Sequence, residues 1–230
     1  DRGSIIYGNA SSATTVLGQG GANEVLTSDG TDIAWAAGGG GDLSFGGNNF
    51  GADKTIGSND TYALSFETDG NVAMKIDTSG RVTKPLQPAF LATHNVAQLN
   101  MTEEQQNTIT FGNEVFDVGS NFASNTFTAP VTGKYLLTAH YMIAQIDHDA
   151  TYYSNITINT SNRNYVKNFS VRDFFETQPE FYPFDITCVA DMDASDTAVV
   201  EFGTYGPGAS QEDVYGTDPD NHQFMGYLIS

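Results

Sequence analysis

The sequence predicts an all-β protein, and three observations carry that prediction. Apolar and polar side chains alternate in short runs, such as Ala63-Leu64-Ser65-Phe66 and Phe184-Asp185-Ile186-Thr187-Cys188, and no stretch keeps a helical period. Glycine is abundant, 24 of 230 residues, and Tyr, Phe, Thr, Asn and Asp recur, a usage that favours strands and turns. From Thr126 to Tyr141 (TFTAPVTGKYLLTAHY) a short strand ends at Ala129, a Pro-Val-Thr-Gly turn follows, and a long apolar strand begins. Pro130 cannot donate to a sheet ladder, and Gly133 is read as the flexible corner. Most side chains on both faces of the long strand are apolar or aromatic as far as Ile146, so it is expected to be buried on both sides, with core on one and a partner on the other.

Taken in order, residues 1–41 form a first region. Ile5-Ile6-Tyr7 and Val25-Leu26-Thr27 are short strands punctuated by glycines and an Asp29-Gly30 turn, Trp35 closes the unit, and Gly38 to Gly41 connect it onward. Residues 42–87 repeat this character, with strands at Leu43 and Phe45, Ala63–Phe66 and Val72–Ile76, and a turn at Asp69-Gly70-Asn71. Neither region holds enough apolar residues for a private core. Residues 88–230 differ. Strands are expected at Ala89–His94, Ile109–Phe111, Val115–Asp117, Thr126–Ala129, Lys134–Gln145, Asn155–Asn159, Tyr165–Phe169, Phe184–Met192, Ala198–Thr204 and His222–Ile229. Ten strands in this length argue for a two-sheet antiparallel sandwich.

Charge excludes some functions. Nine Lys and Arg against 28 Asp and Glu give a net charge of −19, which repels nucleic acid and anionic bilayers. No run is long enough for a membrane-spanning helix, and no signal-peptide pattern is present, so membrane insertion is not expected. Cys188 is the only cysteine and shares a face with Phe184, Ile186 and Ala190, the setting of a buried small hydrophobe rather than a nucleophile.

Several motifs in 88–230 stand in a recognisable order: Pro88-Ala89-Phe90-Leu91-Ala92, Ile109-Thr110-Phe111, Phe127 with Gly133-Lys134-Tyr135, and Phe224-Met225-Gly226-Tyr227-Leu228-Ile229. This region resembles the jelly-roll family of complement globular heads and tumour necrosis factor. The resemblance implies a ten-stranded jelly-roll sandwich head and a homotrimer with one sheet of each copy around a threefold axis. Phe90, Tyr135, Leu137, Tyr141, Phe224 and Tyr227 are the interface residues it suggests. Ile6-Tyr7-Gly8, Leu17-Gly18, Val25 to Gly30 and Trp35-Ala36 resemble a module common in bacteriophage tail-fibre proteins. Leu64-Ser65-Phe66, Met74 to Asp77 and Ser79 to Val82 resemble a second fibre-stalk module. Together they imply a trimeric fibre with intertwined β-rich stalk modules, a non-enzymatic virion protein on the extracellular face of the particle. Its expected partners are other virion proteins at the N-terminal end and a host surface glycan or protein at the head. The rival readings are a structural or decorating fibre without receptor binding, and a polysaccharide depolymerase.

The candidate recognition residues are aromatics set among Asp, Asn and Gln in the head: Tyr152, Tyr153, Phe174, Phe175, Phe181, Tyr182, Tyr205 and Tyr215. Aromatic bodies with polar tips suit binding surfaces and the faces of sugars, and plain packing of loop onto sandwich is the competing role. No cofactor is expected apart from calcium. Asp191, Asp193 and Asp196 in ADMDASDT resemble part of a calcium loop, without an EF-hand's glycine and terminal glutamate, and Asp213, Asp218 and Asp220 form a second acidic stretch. Asp147-His148-Asp149 offers carboxylate oxygens and an imidazole to a divalent ion, against the simpler role of a hairpin loop. Glu103-Glu104 is a carboxylate pair that nothing in the sequence places across a groove.

Association into a trimer triples the charge of −19 carried by each chain. Added salt or divalent ions should therefore raise the melting temperature by screening. An unchanged melting curve between low and high ionic strength would refute this.

Overall fold

The computed structural model describes residues 2–8, 11, 13–28, 30–37, 51–206, 212–214, 216 and 221–230. Asp29, the glycines 38–41, the strand expected at Leu43 and Phe45, and Tyr215, Asp218 and Asp220 lie outside these residues. Every regular element among the described residues is a strand. Contacts divide the chain into two units, Asp1–Gly57 and Ser58–Ser230, so the boundary falls within the expected second region 42–87.

The first unit holds two hairpins, β1 (Ile5–Gly8) with β2 (Thr14–Leu17) and β3 (Glu24–Ser28) with β4 (Ile33–Ala37). The expectation missed β2 and β4. Trp35 donates its indole N–H to Gly18 O at 2.6 Å, and a Cβ at Gly20 would meet the indole ring at 2.5 Å, so only glycine fits beneath it. Ile6 and Val16 face each other across β1 and β2 and are 70% and 61% exposed, so this hairpin turns an apolar pair outward.

The second unit begins with a three-stranded meander, β5 (Leu64–Thr68), β6 (Asn71–Ile76) and β7 (Val82–Thr83). Asp69 (φ 50°) and Gly70 (φ 73°) form the two-residue turn between β5 and β6, the left-handed pair that an Asp-Gly hairpin loop requires. The Asp77 carboxylate accepts from the Ser79 and Arg81 amides and from Arg81 Nε at 2.7 Å, closing the turn before β7.

Residues from 88 onward form the sandwich. Its strands are β8 (Ala89–Thr93), β9 (Gln106–Thr108), β10 (Asn113–Val118), β11 (Phe122–Ala123), β12 (Thr126–Thr128), β13 (Gly133–Ala144), β14 (Tyr153–Thr160), β15 (Asn164–Ser170), β16 (Phe181–Met192), β17 (Thr197–Tyr205), β18 (Asp213–Val214) and β19 (Gln223–Leu228). One sheet runs β10-β8-β19-β13-β16 and the other β11-β12-β17-β14-β15, with β18 on β13 and β9 on β17. Numbering only β8, β12 to β17 and β19, the two orders are 1-8-3-6 and 2-7-4-5. That antiparallel order is a jelly roll.

Among the described residues from 88 onward twelve strands occur where ten were expected. Phe122–Ala123 and Asp213–Val214 are additional, and the strand placed at Ile109–Phe111 lies instead at Gln106–Thr108. Ile109 and Phe111 are fully buried core residues, and the Phe111 amide is taken by the Asn125 side chain at 2.8 Å rather than by a ladder partner.

Strict alternation along β13 sends Tyr135, Leu137, Ala139, Tyr141 and Ile143 into the core. Phe90 stacks on Phe127 (4.7 Å) and Phe122 (5.1 Å) and meets Phe224 edge-on (5.0 Å). Tyr141, Phe184 and Phe202 make a second aromatic group. This corrects the interface assignment. Phe90, Tyr135, Leu137, Tyr141 and Phe224 lie between the two sheets of one chain and have no surface left for another. Of the six only Tyr227, 48% exposed, points outward. Gly133 also has a different reason from the one expected. It lies within β13 with no left-handed φ, and a Cβ there would fall 2.6 Å from both Leu228 Cδ1 and Ser230 O. The C-terminal segment runs beside β13 at that point, with Ile229 and Ser230 bonded to the Lys134 main chain.

Phe224→Ala should destabilise the head by about 3–5 kcal/mol, the usual cost of emptying an aromatic site, read as a shifted urea midpoint. A second prediction concerns His94 and His222, both 1% exposed with rings 5.2 Å apart. Burial lowers the His94 pKa below 6.5 despite its bond to Thr110 O, and His222 pushes it the same way. The unfolded chain then binds more protons, so stability is retained above 6.5 and lost as the pH falls through the lowered value. Melting temperatures from pH 7.5 to 5 should fall, and His94→Gln should flatten the decline.

Candidate functional site

Two surfaces of the sandwich stand out. The first is the outer face of the β10-β8-β19-β13-β16 sheet. Register aligns Val189, Leu136, Tyr227 and Ala89 across four strands, and Phe116, Leu91 and Met225 across three. Val189 (52%), Phe116 (49%), Tyr227 (48%) and Met225 (38%) are the most exposed of this band. A contiguous apolar band on a sheet face is the signature of an interaction surface. The sequence reading found both apolar faces of β13, and the residues it named on that strand for an interface, Tyr135, Leu137 and Tyr141, are on the face that the opposing sheet covers.

The second surface is the end of the sandwich where β13, β15 and β17 finish and β14 and β16 start. Tyr153 is in register with Ser170 and Tyr205, and Ala144 with Phe181 and Asp213. The Tyr153 and Tyr205 rings stack at 4.7 Å. Gln106 Nε2 donates to Tyr205 Oη and to Asn155 Oδ1, both at 2.9 Å, setting a polar edge beside the stacked pair. The Arg172 guanidinium lies 4.2 Å over the Tyr152 ring and donates to Asp149 O at 2.7 Å. Phe174, 65% exposed, meets Phe169 edge-on, while Phe175 and Tyr182 pack against Phe169 as part of the core margin. Of the named aromatics, Tyr152, Tyr153, Phe174 and Phe181 are exposed, Tyr205 is half-exposed, Phe175 and Tyr182 serve packing, and Tyr215 lies outside the described residues.

The calcium assignment is corrected. Asp191 accepts from Arg163 Nη2 at 2.7 Å and from Tyr165 Oη at 3.4 Å. Asp196 accepts from the Asp193 amide at 2.7 Å, and Asp193 from Thr132 Oγ1 at 3.4 Å. These carboxylates are engaged separately, and they do not converge. Among the described residues the convergent group is Asp147, His148 and Asp149, whose ligand atoms lie within 4.8 Å of one another. Asp147 Oδ1 is already shared by the Asp149 and Ala150 amides in a local turn.

Where the sandwich opens between edge strands β15 and β16, a cleft of about 440 Å³ is lined by Tyr165, Val166, Lys167, Asp185, Ile186, Thr187 and Cys188. Lys167 Nζ bridges it to Asp185 at 3.1 Å. Burial pushes the Cys188 thiol up to about 11, so it stays protonated at neutral pH and is a poor nucleophile.

No family model and no curated protein matches the chain. Among solved structures, the globular domain of a zebrafish complement 1qA protein is similar over 63% of this chain and 98% of its own, with 18% identity and a TM-score of 0.42. Murine APRIL at pH 8.0 is similar over 62% of this chain and 99% of its own, with 11% identity and a TM-score of 0.43. The jelly-roll assignment rests on the strand order itself.

Proposed function

We propose that this chain is a non-enzymatic virion fibre protein, a phage tail fibre, which trimerises and presents its jelly-roll head to a receptor on the host surface. The observation that carries the reading is the apolar band of Val189, Leu136, Tyr227, Ala89, Leu91, Phe116 and Met225 on the outside of one sheet. In water such a band favours burial, at about 25 cal/mol per Å² of apolar surface covered. Two further copies of the chain would cover it. The hairpins before the head support the same reading, since Ile6, Val16, Val25, Leu26, Phe66 and Val82 are exposed in the single chain and would share a core with other copies in a stalk. Receptor contact is assigned to the end of the head that carries Tyr152, Tyr153, Phe174 and Phe181, where aromatic faces stand beside amides and a guanidinium. The phage origin rests on the resemblance of the two N-terminal modules.

Sedimentation of the purified chain should give a trimer, and Val189→Glu should yield a folded monomer, because the side chain is exposed and a buried charge is costly at an interface. Tyr153→Ala should keep the trimer and reduce host-cell adsorption about tenfold, equivalent to about 1.4 kcal/mol. A stable monomeric wild type would overturn the assembly reading. Unchanged adsorption by Tyr153→Ala, Phe174→Ala and Phe181→Ala would overturn the receptor assignment.

A further inference from the structure

Glu212 is fully buried immediately before β18 and makes no ion pair among the described residues. Its Oε1 accepts from Thr204 Oγ1 at 2.9 Å and Thr151 Oγ1 at 3.3 Å, while its Oε2 is buried with no hydrogen-bond partner. A second orphaned oxygen, Glu103 Oε2, is also buried. Main-chain bonds hold the two glutamates along one strip: the Met101 amide donates to Glu212 O at 2.9 Å, and the Glu104 amide donates to Thr204 O at 2.9 Å. Glu103 lies between those bonds in sequence, and it is the charged group that acts on Glu212, with the same sign.

A buried carboxylate with an oxygen that accepts no hydrogen bond is costly, and a second carboxylate beside it raises the cost. Among the described residues no Lys, Arg or His is paired with Glu103 or Glu212 to offset it. The groups identified at this position among the described residues are the Glu212 and Glu103 carboxylates and the Thr151 and Thr204 hydroxyls, oxygens that suit a hard cation and not a soft one. We propose that Glu212 Oε2 and Glu103 Oε2 are ligands of a calcium-class divalent cation that ties the segment before β18 to the loop at residues 101–104. Thr204 and Thr151 act as positioning residues, holding Oε1 so that Oε2 faces the ion. Carboxylate ligands must be deprotonated to hold a metal, so calcium should bind more weakly at pH 5 than at pH 7.

The test is calorimetric titration of the full chain with calcium chloride at pH 7 and pH 5, beside melting curves in calcium and in chelator. The expected result is one calcium per chain at pH 7, a rise in melting temperature, and loss of both in Glu212→Gln. Glu103→Gln should weaken binding at least tenfold, and it serves as the second variant if Glu212→Gln does not fold. Asp147→Asn with Asp149→Asn should leave binding intact. Wild type without calcium binding, or binding that survives both glutamine variants, or binding lost in the aspartate variant would overturn the proposal. So would a melting temperature insensitive to calcium that rises on acidification, the behaviour of a carboxyl pair that only shares a proton.

Discussion

The inward row of β13 is the contact on which the rest of the head depends. Tyr135, Leu137, Ala139, Tyr141 and Ile143 are buried, and both edges of the strand are hydrogen-bonded, β16 along one and β19 along the other. Period-two geometry gives such a strand one permitted register, because a one-residue slip would turn five buried side chains into water. Gly226 and Gly133 enforce the same register from β19 and the C-terminus. A Cβ on Gly226 would stand 2.5 Å from Leu137 Cδ2 and 2.8 Å from Phe90 Cε1. The aromatic rings of Phe90, Phe127 and Phe224 then close one half of the core, and Tyr141, Phe184 and Phe202 the other.

That rigid centre leaves its ends free to vary. At one end the two sheets deliver strand termini side by side, so residues remote in sequence meet: Tyr153 with Tyr205, Gln106 with Asn155, Thr151 and Thr204 with Glu212. Loops held by a fixed scaffold are where binding groups concentrate. The aromatics Tyr152, Tyr153, Phe174 and Phe181 are exposed, while Glu212 is fully buried with one oxygen held by the Thr151 and Thr204 hydroxyls. The outer sheet face, by contrast, carries the exposed apolar band of Val189, Tyr227, Phe116 and Met225, the character expected of an assembly surface.

Much of the architecture was legible because alternation and turn chemistry are local. The Asp69-Gly70 turn, the long strand after Gly133, and the closing strand before Ser230 are set by residues within a few positions of each other. Phe122–Ala123 was missed because two residues are too few to show an alternation, although its partners Phe127 and Thr126 lie just across the Ser124-Asn125 turn, and Asp213–Val214 because its partners Ala144 and Ile143 are distant in sequence. The site was less legible. Among the aromatics singled out, Tyr152, Tyr153, Phe174 and Phe181 are exposed, but Phe175 and Tyr182 share the same composition and serve packing. Glu212 carried no signal, since a lone glutamate between glutamine and aspartate reads as surface.

By itself the sequence determined the all-β class, the jelly-roll resemblance, the acidic charge and the presence of two apolar faces on one strand. Only the tertiary structure decided which face was which. Tyr135, Leu137 and Tyr141 go inward and Leu136 outward because the opposing sheet lies on one side of β13 alone, and strand periodicity separates two faces without labelling them. The carboxylates followed the same logic: Asp191, Asp193 and Asp196 are close in sequence and engaged apart, whereas Glu103 and Glu212 are far apart in sequence and are brought together by main-chain bonds across the fold.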